Sequence, residues 1–175
     1  MNIVSHTRNS DISFEAMIQI DMKIDTFISS WVHCHYISSY LARVVSHNRS
    51  DSVRYSNLFS SAVNELLEVA FRTRHPSGEL ACRVSRQGRT DRVELTFPCT
   101  PEERRFYEQA LLQIEEPGVR ERYLNSVSGD LAPSREVVLA ELAIDYNATL
   151  SLEKGDDDDV AITLVVDLPL EDVPN

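Results

Sequence analysis

Two pairs of strand-like segments, each joined by a short polar turn, constrain the fold of this chain more than any other feature. Apolar and polar side chains alternate in residues 79–85 and 91–97 and again in 148–154, whereas residues 160–168 are nearly all β-branched and apolar. The second pair surrounds an acidic turn of one glycine and four aspartates. Because strands joined by short turns pair antiparallel, the sequence predicts two β-hairpins.

The segments around the two hairpins have mostly helical periodicity. Alternation also predicts a strand over residues 13–22, and three- and four-residue steps predict helices over about 25–47, 51–73, 101–114, 119–124 and 134–147. Thr100 is a predicted N-cap ahead of Pro101. The clearest apolar stripe is in the second helix and consists of Phe59, Ala62, Val63, Leu66, Leu67, Ala70 and Phe71.

This order of elements predicts an α+β fold, because strands come in pairs and helices come between the pairs. We expect a two-layer α/β sandwich, with a mixed but mostly antiparallel sheet and helices on one face. A length of 175 residues suits one domain. We place that domain at residues 13–168, between an N-terminal tail, 1–12, and a polar C-terminal tail, 169–175.

Charge and glycine distribution exclude several classes of function. The net charge is −11, which argues against binding to nucleic acid or to an anionic membrane surface. The five glycines are scattered, so a phosphate loop built from clustered glycines is excluded. No apolar run is long enough for a membrane span, and the first residues do not resemble a signal peptide, so we expect a cytoplasmic protein. The three cysteines are expected to be free and mostly buried.

The segment 61–73, SAVNELLEVAFRT, carries the candidate functional residues. Its apolar stripe leaves Asn64, Glu65 and Glu68 on other faces of the helix. Glu68 and Arg72 have the spacing of an i,i+4 ion pair. The alternative explanation for these polar residues is that they form a solvent-exposed helix face and have no role in a functional site. The tripeptide His33-Cys34-His35 is not predicted to bind a metal ion, because the side chains of the two histidines point about 200° apart on a helix.

AVNELLEVA within this helix, and IDYNATLSLE near residue 150, carry a family resemblance. The chain resembles the GHKL superfamily of histidine kinase-like ATPases, and within it the SiaB-type regulators and anti-sigma-factor serine kinases. The resemblance covers about residues 13–168. It implies that Glu65 stands where the serine kinases have their catalytic base. It also implies a partner protein with a sulfate-transporter/anti-sigma-antagonist (STAS) type fold.

The chain departs from that family at three nucleotide-binding elements. The asparagine that ligates magnesium is Val69 here, which has no side-chain oxygen. The adenine-binding box is replaced by residues 95–103, LTFPCTPEE, which contain no glycine. The glycine-rich phosphate lid is replaced by residues 128–138, which contain a single glycine. We therefore predict a vestigial nucleotide pocket at Asn64, Glu68 and Val69, and no cofactor.

The predicted function is regulation by protein–protein binding, in a bacterial signalling switch of the SiaB or anti-sigma type. Trp31, His35, Tyr36 and Tyr40 are the candidate interface for a partner or a homodimer, with core packing as the alternative. A second hypothesis is an active ATP- and magnesium-dependent protein serine/threonine kinase. Glu65 would be its base, and Asn64 or Glu68 would supply the missing metal oxygen. A third hypothesis is a small-molecule sensor that uses the vacated nucleotide pocket.

Overall fold

The computed structural model describes residues 13–73, 75–127, 134–153 and 161–172. The predicted elements are present, although one predicted helix is divided. The helices and strands in chain order are β1 (Glu15–Lys23), α1 (Ile24–Ile28), α2 (Val32–Ser46), α3 (Ser52–Thr73), β2 (Glu79–Gln87), β3 (Thr90–Pro98), α4 (Pro101–Glu115), α5 (Val119–Val127), α6 (Arg135–Asp145), β4 (Thr149–Glu153) and β5 (Ala161–Leu168), followed by a 3₁₀ turn at Leu170–Asp172.

The strands form one five-stranded sheet in the order β1-β2-β3-β5-β4. We expected a mixed but mostly antiparallel sheet. Every pairing among the described strands is antiparallel, so this part of the sheet contains no parallel pair. The final hairpin adds to the first through β5, whose Leu164 lies opposite Leu95 of β3. The predicted α+β class and two-layer sandwich are confirmed.

The two faces of the sheet differ in polarity, and this difference places the core. One face presents alternating apolar residues such as Val84, Leu95 and Leu164, all fully buried together with the predicted stripe of α3. The other face carries paired polar side chains, including Arg92 and Asp167, whose Nε and Oδ1 atoms are 2.7 Å apart. The described helices pack on the apolar face, because burial of its apolar side chains stabilises the fold, while the other face carries polar pairs.

The single helix predicted over residues 25–47 is wrong, because α1 and α2 are separate. The Ser29 hydroxyl donates to the Thr26 carbonyl at 2.7 Å, and the His33 ring nitrogen Nδ1 lies 3.0 Å from the Phe27 carbonyl oxygen. These side chains bind the carbonyls that would accept the next turn of a continuous helix. The chain therefore breaks at residues 29–31, while Ile24 and Phe27 remain anchored in the core.

A buried ionic cluster joins α3, the first hairpin and the C-terminal turn. Asp91 is fully buried, and its carboxylate accepts hydrogen bonds from Arg49, Arg86 and the Tyr55 hydroxyl at 2.5–3.0 Å. Arg49 also donates to Glu171 at 2.9 Å. We refer to these five residues as the Asp91 cluster. The segment predicted as a polar tail from residue 169 thus begins with a packed turn, in which Leu170 is fully buried.

Several loop and terminal predictions lie outside the described residues. These are the N-terminal tail, residues 1–12, most of the predicted lid, 128–133, and the acidic turn with its flanks, 154–160. Ser134, which lies within the predicted lid region, caps α6 by accepting a hydrogen bond from the Val137 amide at 3.4 Å. Among the described helices, none has an apolar stretch long enough to cross a membrane.

Candidate functional site

An open groove runs between α2 and α3 on the outer side of the helical layer. We call it the α2–α3 groove. Its volume is about 620 Å³, and it is lined by Trp31, His35, Ser38, Asn57, Ser60, Ser61, Asn64, Glu65 and Glu68. The groove therefore brings together three of the four predicted pocket residues on α3 and two of the four predicted interface residues on α2.

The sequence of α3 determines which of its residues reach the groove. The Asp51 carboxylate caps the helix by accepting a hydrogen bond from the Arg54 amide at 3.0 Å. The apolar stripe then buries one side of α3 against the sheet. Asn64, Glu65 and Glu68 lie on the flank of that stripe, where α2 and α3 leave open space.

Glu68 lies between two partners of its own helix. Its Oε1 accepts a hydrogen bond from the Asn64 amide at 2.8 Å, and its Oε2 lies 3.6 Å from Arg72. The predicted i,i+4 pair of Glu68 and Arg72 is therefore confirmed, at a distance typical of a loose ion pair. Arg72 in turn lies over the Trp31 ring, 5.9 Å from its centroid, at one end of the groove.

Glu65 is partly satisfied by α6. The Tyr146 hydroxyl, just after α6, donates to Glu65 Oε1 at 3.0 Å. The other oxygen, Oε2, is buried and has no hydrogen-bond partner in the described part of the chain. Burial, followed by the negative charge of Glu141, raises the pKa of Glu65 to about 8, against the lowering effect of the Tyr146 hydrogen bond. At neutral pH the Glu65 carboxyl is therefore mostly protonated.

Tyr146, Glu141 and Asp145 are the residues that sequence reasoning did not assign to the site. Burial also raises the pKa of Glu141, and the nearby Asp145 carboxylate raises it further. Glu141 and Asp145 are four residues apart on α6, so their spacing showed that they share a helix face. Their proximity to Glu65 depends on the packing of α6 against α3, which no local pattern encodes.

Val69 lies apart from the other predicted pocket residues. It is fully buried in the core cluster, among the apolar residues beneath α3. Residues 95–103, where the family resemblance leads us to expect an adenine-binding box, have a structural use as well. After β3 ends at Pro98, the Thr100 hydroxyl accepts from the Glu103 amide, and the Glu103 carboxylate accepts from the Thr100 amide. This reciprocal capping box starts α4.

The four predicted interface residues are on the surface. Tyr36 is 63% exposed, Tyr40 is 56% exposed and Trp31 is 44% exposed, and His35 is exposed as well. Core packing, the alternative for these aromatic residues, does not apply to Tyr36 and Tyr40. Trp31 has an intermediate role, because it packs edge-on against Phe71 with 4.9 Å between ring centroids.

The cysteines and histidines that the structure describes do not form a candidate metal site. Cys34, Cys82 and Cys99 are free and buried, as predicted. Burial raises the pKa of the Cys82 thiol to about 12, so it is not a nucleophile at neutral pH. Within the described ranges, no group of three or more His, Cys, Asp or Glu side chains is placed to share a metal ion.

Comparison of the sequence with known proteins finds no match, whereas comparison of the structure finds one. No protein-family model matches the sequence, and no curated protein matches it significantly. The structure, however, matches a chain of the crystal structure of the SiaB-SiaC complex from Pseudomonas aeruginosa, with a TM-score of 0.64 and 10% sequence identity. The match covers 88% of this chain and 91% of that chain. The two chains share a fold. At this level of identity, the likeness is one of architecture.

The raised pKa of Glu65 predicts a pH-dependent contribution to stability. Unfolded, this carboxyl loses its proton near pH 4.5, whereas in the fold it keeps the proton up to about pH 8. The folded state thus binds more protons in this window, and the contribution of Glu65 to stability is lost as the pH rises through 8. We expect Glu65→Gln to be more stable than the wild type at pH 8.5, by about 1 kcal/mol after allowance for solvent screening.

Urea denaturation at pH 5, 7 and 8.5 measures this difference. The advantage of Glu65→Gln over the wild type should grow with pH across the series. Glu79→Gln is the matched control, because Glu79 is an exposed glutamate at the start of β2. A constant difference between Glu65→Gln and the wild type at all three pH values would contradict the assignment of a buried, protonated carboxyl.

Proposed function

We propose that this protein is a bacterial signalling regulator that acts by binding a partner protein, through a GHKL-type fold that no longer binds ATP and magnesium. The burial of Val69 in the core is the observation that carries the proposal. In the superfamily that the sequence resembles, this position supplies an oxygen to magnesium. Here the side chain has no oxygen and packs among apolar residues.

Two further features support the loss of nucleotide binding. The segment aligned with the adenine-binding box forms the capping box of α4, and Pro98 and Pro101 lack the amide hydrogens that a ligand would use. The residues present therefore do not fit a magnesium–nucleotide complex. Because phosphoryl transfer depends on the metal for positioning and charge neutralisation, no catalytic step follows from these residues.

The protein partner is the second part of the proposal. The structural relative was crystallised as a SiaB-SiaC complex, so its fold occurs in a protein assembly. The exposed aromatic residues on α2 offer anchors of the kind that are enriched at interfaces. By the family resemblance, we propose a STAS-type protein as the partner of this chain.

Isothermal titration with ATP and Mg²⁺ tests the loss of nucleotide binding. We expect no measurable binding up to millimolar nucleotide, whereas micromolar affinity would overturn the proposal. Titration with a purified STAS-type protein from the same genome tests the partner. If no such protein binds, the regulatory part of the proposal fails while the nucleotide result stands on its own.

An active kinase is the second candidate, and one observation favours it. Asn64, Glu65 and Glu68 line the same groove, so carboxylate and amide oxygens lie on either side of the residue aligned with the catalytic base. If this candidate is right, Glu65→Ala abolishes phosphate transfer from radiolabelled ATP to the partner. If it is wrong, no transfer occurs with the wild type, and Glu65→Ala leaves partner binding unchanged.

A further inference from the structure

A small polar cavity lies where the Asp91 cluster meets the start of α3. Its volume is about 80 Å³, and it is lined by Arg49, Ser50, Asp51, Arg54, Tyr55, Arg89, Leu170 and Glu171. We call it the arginine cavity, because three of these residues are arginines and only two are acids. It therefore has an excess of positive charge in a chain whose net charge is −11, which makes it a candidate site for an anion.

The Glu171 carboxylate is the anion that the arginine cavity holds in this structure. Its Oε1 accepts a hydrogen bond from Arg49 at 2.9 Å, and its Oε2 accepts one from Arg89 at 2.8 Å. Burial raises the pKa of Glu171, but the hydrogen bonds and positive charges of the two arginines outweigh burial and lower that pKa below its ordinary value. The two guanidinium groups are thus already arranged around a pair of anionic oxygens.

The donors around the arginine cavity outnumber the oxygens that Glu171 supplies. The Arg49 side chain is only 6% exposed, and its Nε has no hydrogen-bond partner in the described part of the chain. Arg54, in the first turn of α3, lines the same cavity. A carboxylate has two oxygens and one negative charge. An anion with more oxygens and more charge would match three guanidinium groups better than Glu171 does.

The contacts around the cavity allow Glu171 to leave without loss of the fold. Arg49 is held from its other side by Asp91, at 3.0 Å, and lies over the Tyr55 ring, 4.5 Å from the centroid. It therefore keeps its position and a counter-charge when Glu171 is absent. The C-terminal turn is anchored by Leu170, which is fully buried, whereas the Glu171 side chain is 21% exposed. Rotation of one side chain is enough to open the cavity.

We propose that the arginine cavity is a binding site for a single phosphate group, which Arg49, Arg54 and Arg89 hold. The Glu171 carboxylate occupies the site until phosphate displaces it and its side chain turns to the solvent. Phosphate fits because guanidinium groups bind its oxygens in pairs and because it carries more charge than a carboxylate. Inorganic phosphate and a phosphorylated serine or threonine side chain present this same group.

This site is separate from the nucleotide region that the proposed function concerns. Arg54 and Glu65 are 11 residues apart on α3, which corresponds to about 17 Å along the helix. The arginine cavity is also far smaller than the roughly 300–1,000 Å³ of pockets for larger ligands. Asp51 and Glu171 in its lining disfavour the additional negative charges of a triphosphate. Phosphate binding here requires no magnesium and does not depend on the proposed function.

Isothermal titration with inorganic phosphate, at pH 7.5, constant ionic strength and without magnesium, tests the site. We expect weak binding to the wild type, because Glu171 competes. Glu171→Gln should bind phosphate about tenfold more tightly or better, since the competing charge is gone. Adding Arg89→Gln to Glu171→Gln should weaken binding by about tenfold, since a charge-assisted hydrogen bond is lost. Glu79→Gln and Arg105→Gln are the matched controls, because both residues are exposed in other elements, and they should leave binding unchanged.

Two outcomes would overturn the phosphate site. They are a Glu171→Gln variant that binds phosphate no more tightly than the wild type, and a double variant that binds as tightly as Glu171→Gln. Circular dichroism establishes that each variant is folded. Titration of Glu171→Gln with N-acetylphosphoserine amide distinguishes the two sources of the group: tighter binding than inorganic phosphate indicates a phosphorylated side chain, and weaker binding indicates the free ion. Failure of these titrations leaves the proposed function intact, and micromolar binding of ATP with Mg²⁺ would reject that function without affecting this site.

Discussion

Replacing Asp91 with alanine is expected to destabilise the fold by about 3–5 kcal/mol, the cost typical of removing one partner from a buried ion pair. The Asp91 carboxylate is fully buried and neutralises two arginines, Arg49 and Arg86, at 3.0 Å and 2.6 Å. Without it, these guanidinium groups lose their buried counter-charge, and the Tyr55 hydroxyl loses its acceptor. A buried charge without a partner is costly even where an intact buried pair adds little.

The free energy of unfolding from urea denaturation measures this loss. Asp167→Ala is the matched control, since Asp167 forms a similar bidentate pair with Arg92, but with both side chains partly exposed. We expect the control to lose no more than about 1 kcal/mol. If Asp91→Ala is too unstable to purify, Asp91→Asn keeps the shape of the side chain and should fall between the two. Equal effects of Asp91→Ala and Asp167→Ala would show that burial does not set the energy.

Restoring the family's asparagine by Val69→Asn is expected to damage the fold without creating a nucleotide site. Val69 is fully buried among apolar residues, so an amide there loses its hydrogen bonds to water and finds an apolar environment. We expect destabilisation of about 2–4 kcal/mol from the unsatisfied amide and the lost apolar burial. We expect no gain in affinity for ATP and Mg²⁺.

The matched control is Val69→Leu, because leucine has nearly the shape of asparagine without its polar atoms. The difference in stability between Val69→Asn and Val69→Leu therefore reports the effect of side-chain polarity separately from that of side-chain size. Thermal melts give stability, and isothermal titration gives nucleotide affinity. A Val69→Asn variant that keeps wild-type stability and acquires micromolar ATP binding would mean that a nucleotide pocket survives beside α3. It would favour the active-kinase candidate over the binding module.

Local patterns predicted the elements because their signals lie within a few residues. The Thr100 cap with its Glu103 partner and the buried stripe of α3 are both of this kind. The sequence pattern did not predict the break between α1 and α2. The break depends on the side chains of Ser29 and His33, which bind backbone carbonyls and do not change the apolar periodicity. A stripe continues through a break when both helices pack on the same core.

The candidate site was only half predictable, for a related reason. Asn64, Glu65 and Glu68 are near in sequence and lie on one helix, α3, although the groove that they share also needs Trp31, His35 and Ser38 from the α2 side. Tyr146, whose hydroxyl donates to Glu65 from 81 positions away, lies at the C-terminal end of another helix, α6. The link from Arg49 to Glu171 spans 122 positions. Contacts over such separations depend on how the layers dock, and a single sequence does not specify that docking.

The position of β5 determines when this protein can fold during its synthesis. β5 is the last strand along the chain, yet it lies between β3 and β4, and its Leu164 and Val166 are buried. Until residue 168 has left the ribosome, β3 therefore has one unpaired edge, and the apolar face beneath α3 is incomplete. Sheets that depend on pairings between distant segments fold slowly, and their unpaired strand edges are prone to aggregation until folding is complete. We expect nascent chains that stop before residue 161 to depend on chaperones. Chains that include the complete β4–β5 hairpin should fold without them.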